Sequence, residues 1–330
     1  MTSWLKKKRV LVTGGAGAFG RKFLRAATDA GAAGVVVFSR DEMKHAALKR
    51  ELGALAAGID FRIGDVTDPA AVATVLRRVD LVVHAAAMKH LPECEANPAA
   101  STRVNVLGTE IVARRFLSSG AECLVFLSTD KAPYASSVYG AQKYIGEKLV
   151  TETARLLEEG RRAFTLRYSN VMDSTGSAFH VFRQLLSADQ TATVNGSQTS
   201  RGFVSQAQVI RNLDEALDRC RGGEVLVLIP RVIRIAELAE TLKRLLGKGR
   251  VSVVETPGFA GEKESATLIM AEERALAREF PEVPEGAVLL DALLRSTGRG
   301  QRAVPERGLT LEDCQRLSGA ELEAFVTPLL

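Results

Sequence analysis

The 330-residue sequence has little of what several kinds of site require. Its four cysteines (Cys94, Cys123, Cys220 and Cys314) are scattered and form no CxxC pair. That excludes a disulfide framework and leaves reduced, partly buried thiols in a cytosolic protein as the expectation. Its four histidines (His45, His84, His90 and His180) show no HExxH or facing-carboxylate spacing, which argues against a metal site. No apolar run approaches the roughly 18 residues that a membrane helix needs. A large excess of one charge is also missing: 44 Lys+Arg against 39 Asp+Glu leaves +5, too weak to argue for nucleic acid. The basic start Lys6-Lys7-Lys8-Arg9 leads into an apolar stretch that glycines break at once, unlike a signal peptide. A cytoplasmic protein without nucleic-acid or membrane partners is expected.

What is present points elsewhere. A hydrophobic fraction of 46% can bury a large core, and 28 glycines leave room for close backbone approaches. Short β-rich runs alternate with helical stretches through the first 170 residues. Candidate strands are Arg9–Thr13, Val35–Ser39, Asp60–Ile63, Leu81–His84, Cys123–Ser128 and Ala163–Tyr168. Runs such as Val35-Val36-Val37-Phe38 are apolar on both faces, as in the middle of a parallel sheet covered by helices. Helical candidates are Phe19–Ala30, Asp41–Leu52, Pro69–Arg77 and Pro98–Ser118. In the last, Val104, Leu107, Ile111, Val112 and Phe116 would face the sheet. Asp68-Pro69 and Asn97-Pro98 each place a capping residue before a first-turn proline.

This alternation predicts an α/β fold: a Rossmann-type doubly wound parallel sheet over residues 1–170, with a smaller lobe over 171–330 that closes over a cleft. The second half reads as short helices, a strand near Glu224–Ile229 and Gly/Ser/Thr-rich loops, and its strands can return to the main sheet.

Thr13-Gly14-Gly15-Ala16-Gly17-Ala18-Phe19-Gly20 follows the first strand and opens the first helix. Gly14, Gly17 and Gly20 are spaced GxxGxxG. Such a turn lets backbone approach a pyrophosphate, which the helix N-terminus then meets with free N–H groups. At the end of the second strand, Ser39-Arg40 with Lys44 one turn on suits a 2′-phosphate, favouring NADP. Asp41 leaves NAD as the alternative, unless it caps the helix. Gly64-Asp65-Val66 flanks an adenine or forms a plain turn. Further on, Ser128-Thr129-Asp130-Lys131 ends a strand, and Tyr139 and Lys143 share one helical face. A lysine beside a tyrosine hydroxyl lowers the cost of the phenolate, which makes Tyr139 a usable base, while Thr129 or Ser128 hydrogen-bonds the same substrate oxygen.

The glycine turn, the YxxxK pair and His84-Ala85-Ala86-Ala87 together resemble an extended short-chain dehydrogenase/reductase. More narrowly, the sequence is similar to the soluble C5-inverting UDP-N-acetylglucosamine 4,6-dehydratases. The similarity runs through His84–His90, Glu95–Pro98, Asn105–Thr109, Leu127–Ala132 and Arg167–Val171. It implies an enzyme that takes a nucleotide sugar as substrate, works as a homo-oligomer and carries out 4,6-dehydration. The runner-up is a 4-epimerase or oxidoreductase on the same scaffold, and the third reading a non-catalytic NADP-binding protein.

Carried over residue by residue, the resemblance makes Tyr139, Lys143, Thr129, Asp130 (acid) and Lys131 (base) catalytic. Lys89 and Lys143 would supply the charge that destabilises the Lys131 ammonium. The cofactor site falls on Thr13, Gly14, Gly17, Ala18, Phe19, Gly20, Ser39, Arg40, Lys44, Asp65, Val66, Ala85, Ala86, Ala87, Lys89, Asn105, Tyr139, Lys143 and Tyr168. Substrate contacts fall on Met88, Lys89, His90, Asn170 and Arg201. The second half departs from the family. Ser169, Asp173 and Thr175 stand where Gly, Gly and Arg are usual. Leu228-Ile229 replaces Pro-Lys, Gly258–Lys263 lacks a preceding Arg, and Ala266 replaces Glu. These departures leave the chemistry segment intact and put the sugar and nucleotide in question.

Overall fold

Unbroken apolar runs can be buried on both faces only inside a helix-covered parallel sheet, and that is where they lie. The computed structural model describes residues 3–174, 176–255, 265–279, 286–293, 299–301 and 304–330. Thr175 and Gly258–Lys263 therefore lie outside the described residues. Strands β1 (Arg9–Thr13), β2 (Gly34–Ser39), β3 (Ile59–Ile63), β4 (Leu81–His84), β5 (Cys123–Thr129) and β6 (Arg162–Tyr168) pair in parallel in the order β3-β2-β1-β4-β5-β6. Every residue of β4 and β5 is buried, whereas edge strand β3 ends exposed and carries the Asp60–Arg62 ion pair.

The second half extends the same sheet. Helix Gln206–Arg219 packs beside α1 (Ala18–Asp29) and returns the chain to strand Glu224–Leu228, parallel to β6. Ala287–Asp291, Ala277–Glu279 and Arg299–Gln301 then add antiparallel strands, so ten strands form one sheet. Two-residue Asn170–Val171 joins Ser200–Val204 and Arg231–Arg234 in a small separate sheet. Against this lies a second core of Phe179, Phe182, Phe203, Ile233, Leu238 and Leu242. The helices here, Ala178–Ser187, Gln206–Arg219 and Ile235–Leu246, run to full length rather than being the short helices that the sequence suggests.

Most first-half boundaries agree with the expected ones to within two residues. Helices α2 (Glu42–Leu52) and α3 (Pro69–Val75) begin at side-chain caps: Asp41 accepts from the Lys44 N–H, and Asp68 from those of Ala70 and Ala71. Asn97 does not cap; its amide donates instead to the Glu93 carbonyl at the end of α4 (Leu91–Ala96). The expected helix Pro98–Ser118 is interrupted. It comprises α5 (Pro98–Thr102), a π turn at Arg103–Leu107 and α6 (Gly108–Leu117). The wider turn shifts the helical phase. Leu107, expected against the sheet, is 46% exposed, while Asn105 is turned inward and buried.

Candidate active site

The carboxyl ends of the parallel strands form the site, because strand order reverses between β1 and β4 and opens a crevice there. Gly14 has φ +65°, and a Cβ on it would lie 2.7 Å from the Ala86 Cα, so the β1 and β4 loops approach backbone to backbone. A Cβ on Gly20 would strike the Gly15 carbonyl oxygen at 1.9 Å, which presses α1 against its own turn. Gly17 sits at the N-cap without a side-chain cap, and no acidic residue occupies the first turn of α1. The uncapped N–H groups and helix dipole fit an anionic phosphate. Ala18 and Phe19 begin this helix; Phe19 stacks on Phe23 at 5.3 Å.

Beneath this turn runs a neutral relay. Thr109 Oγ1 donates to the Asn105 carbonyl at 2.7 Å, so it accepts from His84 Nε2–H at 3.0 Å. His84 Nδ1 is then left to accept from Thr13 Oγ1 at 2.7 Å, and that oxygen accepts in turn from the Ala86 N–H at 3.3 Å. Burial pushes the imidazole down to about 3, with Lys143 adding to the effect, so the ring stays uncharged. Thr13 is thus a support of the turn. Asn105 is likewise spent within the protein: its amide group takes the Met88 N–H at 2.8 Å and gives to the Met88 carbonyl at 2.9 Å and to Gln142 at 2.7 Å. It fixes the loop Ala85-Ala86-Ala87-Met88, with exposed Lys89 and His90 following.

At the end of β2, Arg40 is exposed and pairs with Asp65 at 3.3 Å. Asp41 is committed to capping α2 and to Lys44 at 3.2 Å, and the Ser39 hydroxyl to His45 Nε2 at 2.6 Å. Asp65 holds its own turn through the Thr67 N–H, and Val66 is buried beside Gly108.

Helix α7 (Val138–Arg155) presents Tyr139 and Lys143. Ser137 caps it through the Gly140 N–H, and Glu95 accepts from the Val138 N–H at 2.7 Å. A Cβ on Gly140 would lie 2.2 Å from the Lys131 carbonyl oxygen, so the loop after β5 is pressed onto the first turn of α7. Burial, then Tyr168, Asp130 and Cys94, push the Tyr139 hydroxyl well above its ordinary value. A lysine beside the hydroxyl is expected to lower the cost of the phenolate; burial acts on Tyr139 in the opposite direction. Burial instead lowers Lys143 to about 7, Glu147 opposing, and its Nζ lies 3.9 Å from the Phe126 ring centroid. Burial raises the Tyr168 hydroxyl as well.

Asp130, 2% exposed, accepts from Lys131 Nζ at 3.0 Å and from Thr129 Oγ1 at 3.1 Å. Lys131 Nζ also donates to Asn170 Oδ1 at 3.2 Å, and Asn170 is held by the Gly202 carbonyl. Both of these partners of Lys131 Nζ are oxygen acceptors. Asp130, Lys131, Asn170 and Arg201 come together in one cavity of about 240 Å³, with Ser136, Ser137 and Ser177 at its wall and Leu91, Phe203 and Ile235 as apolar lining. A carboxyl and an amine in contact can serve as acid and base in one step.

The family description "Polysaccharide biosynthesis protein" matches residues 10–286. The chain belongs to that family. As a member, it is 30% identical over 279 residues to the inverting UDP-N-acetylglucosamine 4,6-dehydratase of Campylobacter jejuni subsp. jejuni serotype O:2, a match spanning 83% of this chain and 81% of that protein. At 31% and the same coverage it is similar to the UDP-glucose 4-epimerase of Rickettsia felis. Among solved structures, Pen from Bacillus thuringiensis superimposes with a TM-score of 0.86 at 27% identity, over 99% of each chain. These findings agree with the resemblance to extended short-chain dehydrogenase/reductases that the motifs carry.

Sequence reasoning missed one group in this family member. Arg167, fully buried at the end of β6, gives all five of its N–H bonds: two to Glu147 (2.6 and 2.9 Å), two to Glu273 (2.8 and 2.9 Å) and one to the Leu268 carbonyl (2.9 Å). Ser128 donates to the same Glu147 at 2.6 Å. Glu147 lies one turn after Lys143 on the same face of α7, a spacing that the sequence does show.

Proposed function

We propose that the protein is a nucleotide-sugar 4,6-dehydratase acting on a UDP-N-acetylhexosamine, with residues 1–170 binding NADP and the rest forming most of the sugar cavity. The observation that carries this reading is the Asp130–Lys131 pair, a buried carboxyl and a half-buried amine in contact at the wall of the cavity beside Asn170. A 4-epimerase needs Tyr139 and Lys143 but no second acid–base pair, although relatives with that printed name are equally similar. A bound nicotinamide supplies the hydride acceptor and donor and, when oxidised, a positive charge.

Tyr139 takes the proton of the sugar 4-hydroxyl, with Thr129 bonding the same oxygen and Lys143 favouring the phenolate when protonated. The resulting 4-ketone acidifies the C5 hydrogen. The reading requires Lys131 to act as a free amine and Asp130 as a carboxylic acid, the two sharing one proton across their 3.0 Å contact. Lys131 then removes the C5 proton while Asp130 protonates the departing 6-hydroxyl, which leaves as water. The proton on Lys131 returns to C5 when C6 is reduced, and the one gained at Tyr139 replaces the one lost from Asp130, so the protons balance. Lys89, His90, Met88 and Arg201 contribute sugar and phosphate contacts. Asp41 is occupied as a cap, which supports Arg40 as the 2′-phosphate ligand and hence NADP.

The test is a panel of nucleotide sugars read by mass spectrometry: loss of one water marks dehydration, and unchanged mass with altered retention marks epimerisation. Lys131→Ala should abolish water loss; unchanged turnover in that variant rejects the dehydratase reading.

A further inference from the structure

The 3₁₀ turn Ala271–Leu276 touches the candidate site twice, through adjacent residues. Glu273 reaches inward to Arg167, which in turn grips Glu147 on α7. One residue earlier the turn reaches outward. The Ala271 N–H donates to the Tyr134 hydroxyl at 3.0 Å, and that hydroxyl donates to Glu272 at 2.5 Å.

Tyr134 lies on the loop between Lys131 and Ser137, both of which line the cavity. Its φ is +44°, in the left-handed region that a bulky residue rarely adopts, yet it is 46% exposed. Such a conformation persists where its surroundings over-determine it. A half-exposed ring is held little by packing, and the two hydrogen bonds to the turn tie its far end down. The strand leading into the turn, Thr267–Ile269, directly follows Ala266, which also lines the cavity.

We propose that this turn is a positioning element that fixes the two halves of the machinery separately. Tyr134 holds the Asp130–Lys131 loop, and Glu273, through Arg167 and Glu147, holds the Tyr139–Lys143 helix. Both are positioning residues, and the kinetic arm of the test rests on the dehydratase reading.

The decisive variant is Tyr134→Phe in the full chain with NADP added. It removes both hydrogen bonds from an exposed position. Amide exchange over residues 131–137 should quicken about tenfold, a change of the size expected for one to two hydrogen bonds, with helix 138–155 unchanged. With sugar substrate, kcat for water loss should fall about as much, while KM and single-turnover cofactor reduction stay constant. Glu273→Gln should do the converse, slowing cofactor reduction and loosening 138–155 but not 131–137. Unchanged loop exchange in Tyr134→Phe, or equal loosening of loop and helix, overturns the proposal, and this arm decides even where Glu273→Gln fails to fold. Exchange is read on the protein itself, so rejection of every nucleotide sugar counts against the dehydratase reading alone.

Discussion

Two buried polar networks support the carboxyl edge of the sheet, and they are built on opposite principles. Under the glycine turn, Thr13, His84, Thr109 and Asn105 are neutral and linked by single hydrogen bonds. Under the tyrosine helix, Arg167, Glu147 and Glu273 are ionic and multiply bonded. A neutral support leaves the field at the crevice to the helix dipole, where an anion is expected. An ionic one balances the buried Lys143: two cations face two carboxylates, so the ammonium does not stand alone in a low-dielectric interior.

The largest effect is expected at the ionic end. Arg167→Met leaves Glu147 and Glu273 buried without the guanidinium they share, and should cost about 3–5 kcal/mol in chemical denaturation. A loss below about 1 kcal/mol would mean that the network does not act as an ionic clamp.

Next is the pH response of the neutral end. His84 has a folded value of about 3 against an ordinary 6.5, so the unfolded chain binds more protons between those limits. The stability His84 gives is therefore complete above pH 6.5 and is lost as pH falls towards 3. The summed loss is several kcal/mol by linkage. In His84→Gln the slope of stability against pH between about 6.5 and 4.5 should fall markedly, with a smaller slope of the same sign left by His45, which burial also lowers. A slope equal to that of the parent would show that another group carries it.

The smallest effect belongs to the exposed Arg40–Asp65 pair on the rim of the neutral end. Arg40→Ala should leave the melting temperature unchanged and weaken NADP binding about tenfold more than NAD binding, as loss of one charge-assisted contact would. Equal weakening of both cofactors would sink the NADP assignment.

The contrast also explains what the sequence makes legible. The neutral end is assembled from short segments with local signatures: a glycine turn after a strand, a strand ending in His84, a helix with an inward Asn105. Strand and helix positions over the first half follow from apolar runs and capping residues for the same reason. The ionic end joins residues 147, 167 and 273, whose meeting depends on the register of β6 and on where the second half returns to the sheet. No local pattern encodes either. The cavity falls between these cases. Asp130 and Lys131 stand out because they are adjacent in sequence, while Arg201 is brought beside them by the pairing of its strand with Arg231–Arg234, and Ser177 by the turn that opens helix Ala178–Ser187. A period of 3.6 residues puts Leu107 against the sheet, and the wider turn that contains it breaks that period.

That π turn makes the length of the helix, as well as its composition, part of the specification. Removing one residue from Arg103–Leu107 would close the turn to regular α-helix with α6 still in phase on α5, because five residues of a π turn sweep about the same angle as four of an α-helix. The change would fall on the residues of the turn itself. Asn105 would swing away from Met88 and Gln142, and the crevice loop and the tyrosine helix would lose their shared anchor. This stretch should accept conservative exchanges of side chain over generations while rejecting insertions and deletions, the reverse of what an ordinary connecting loop allows.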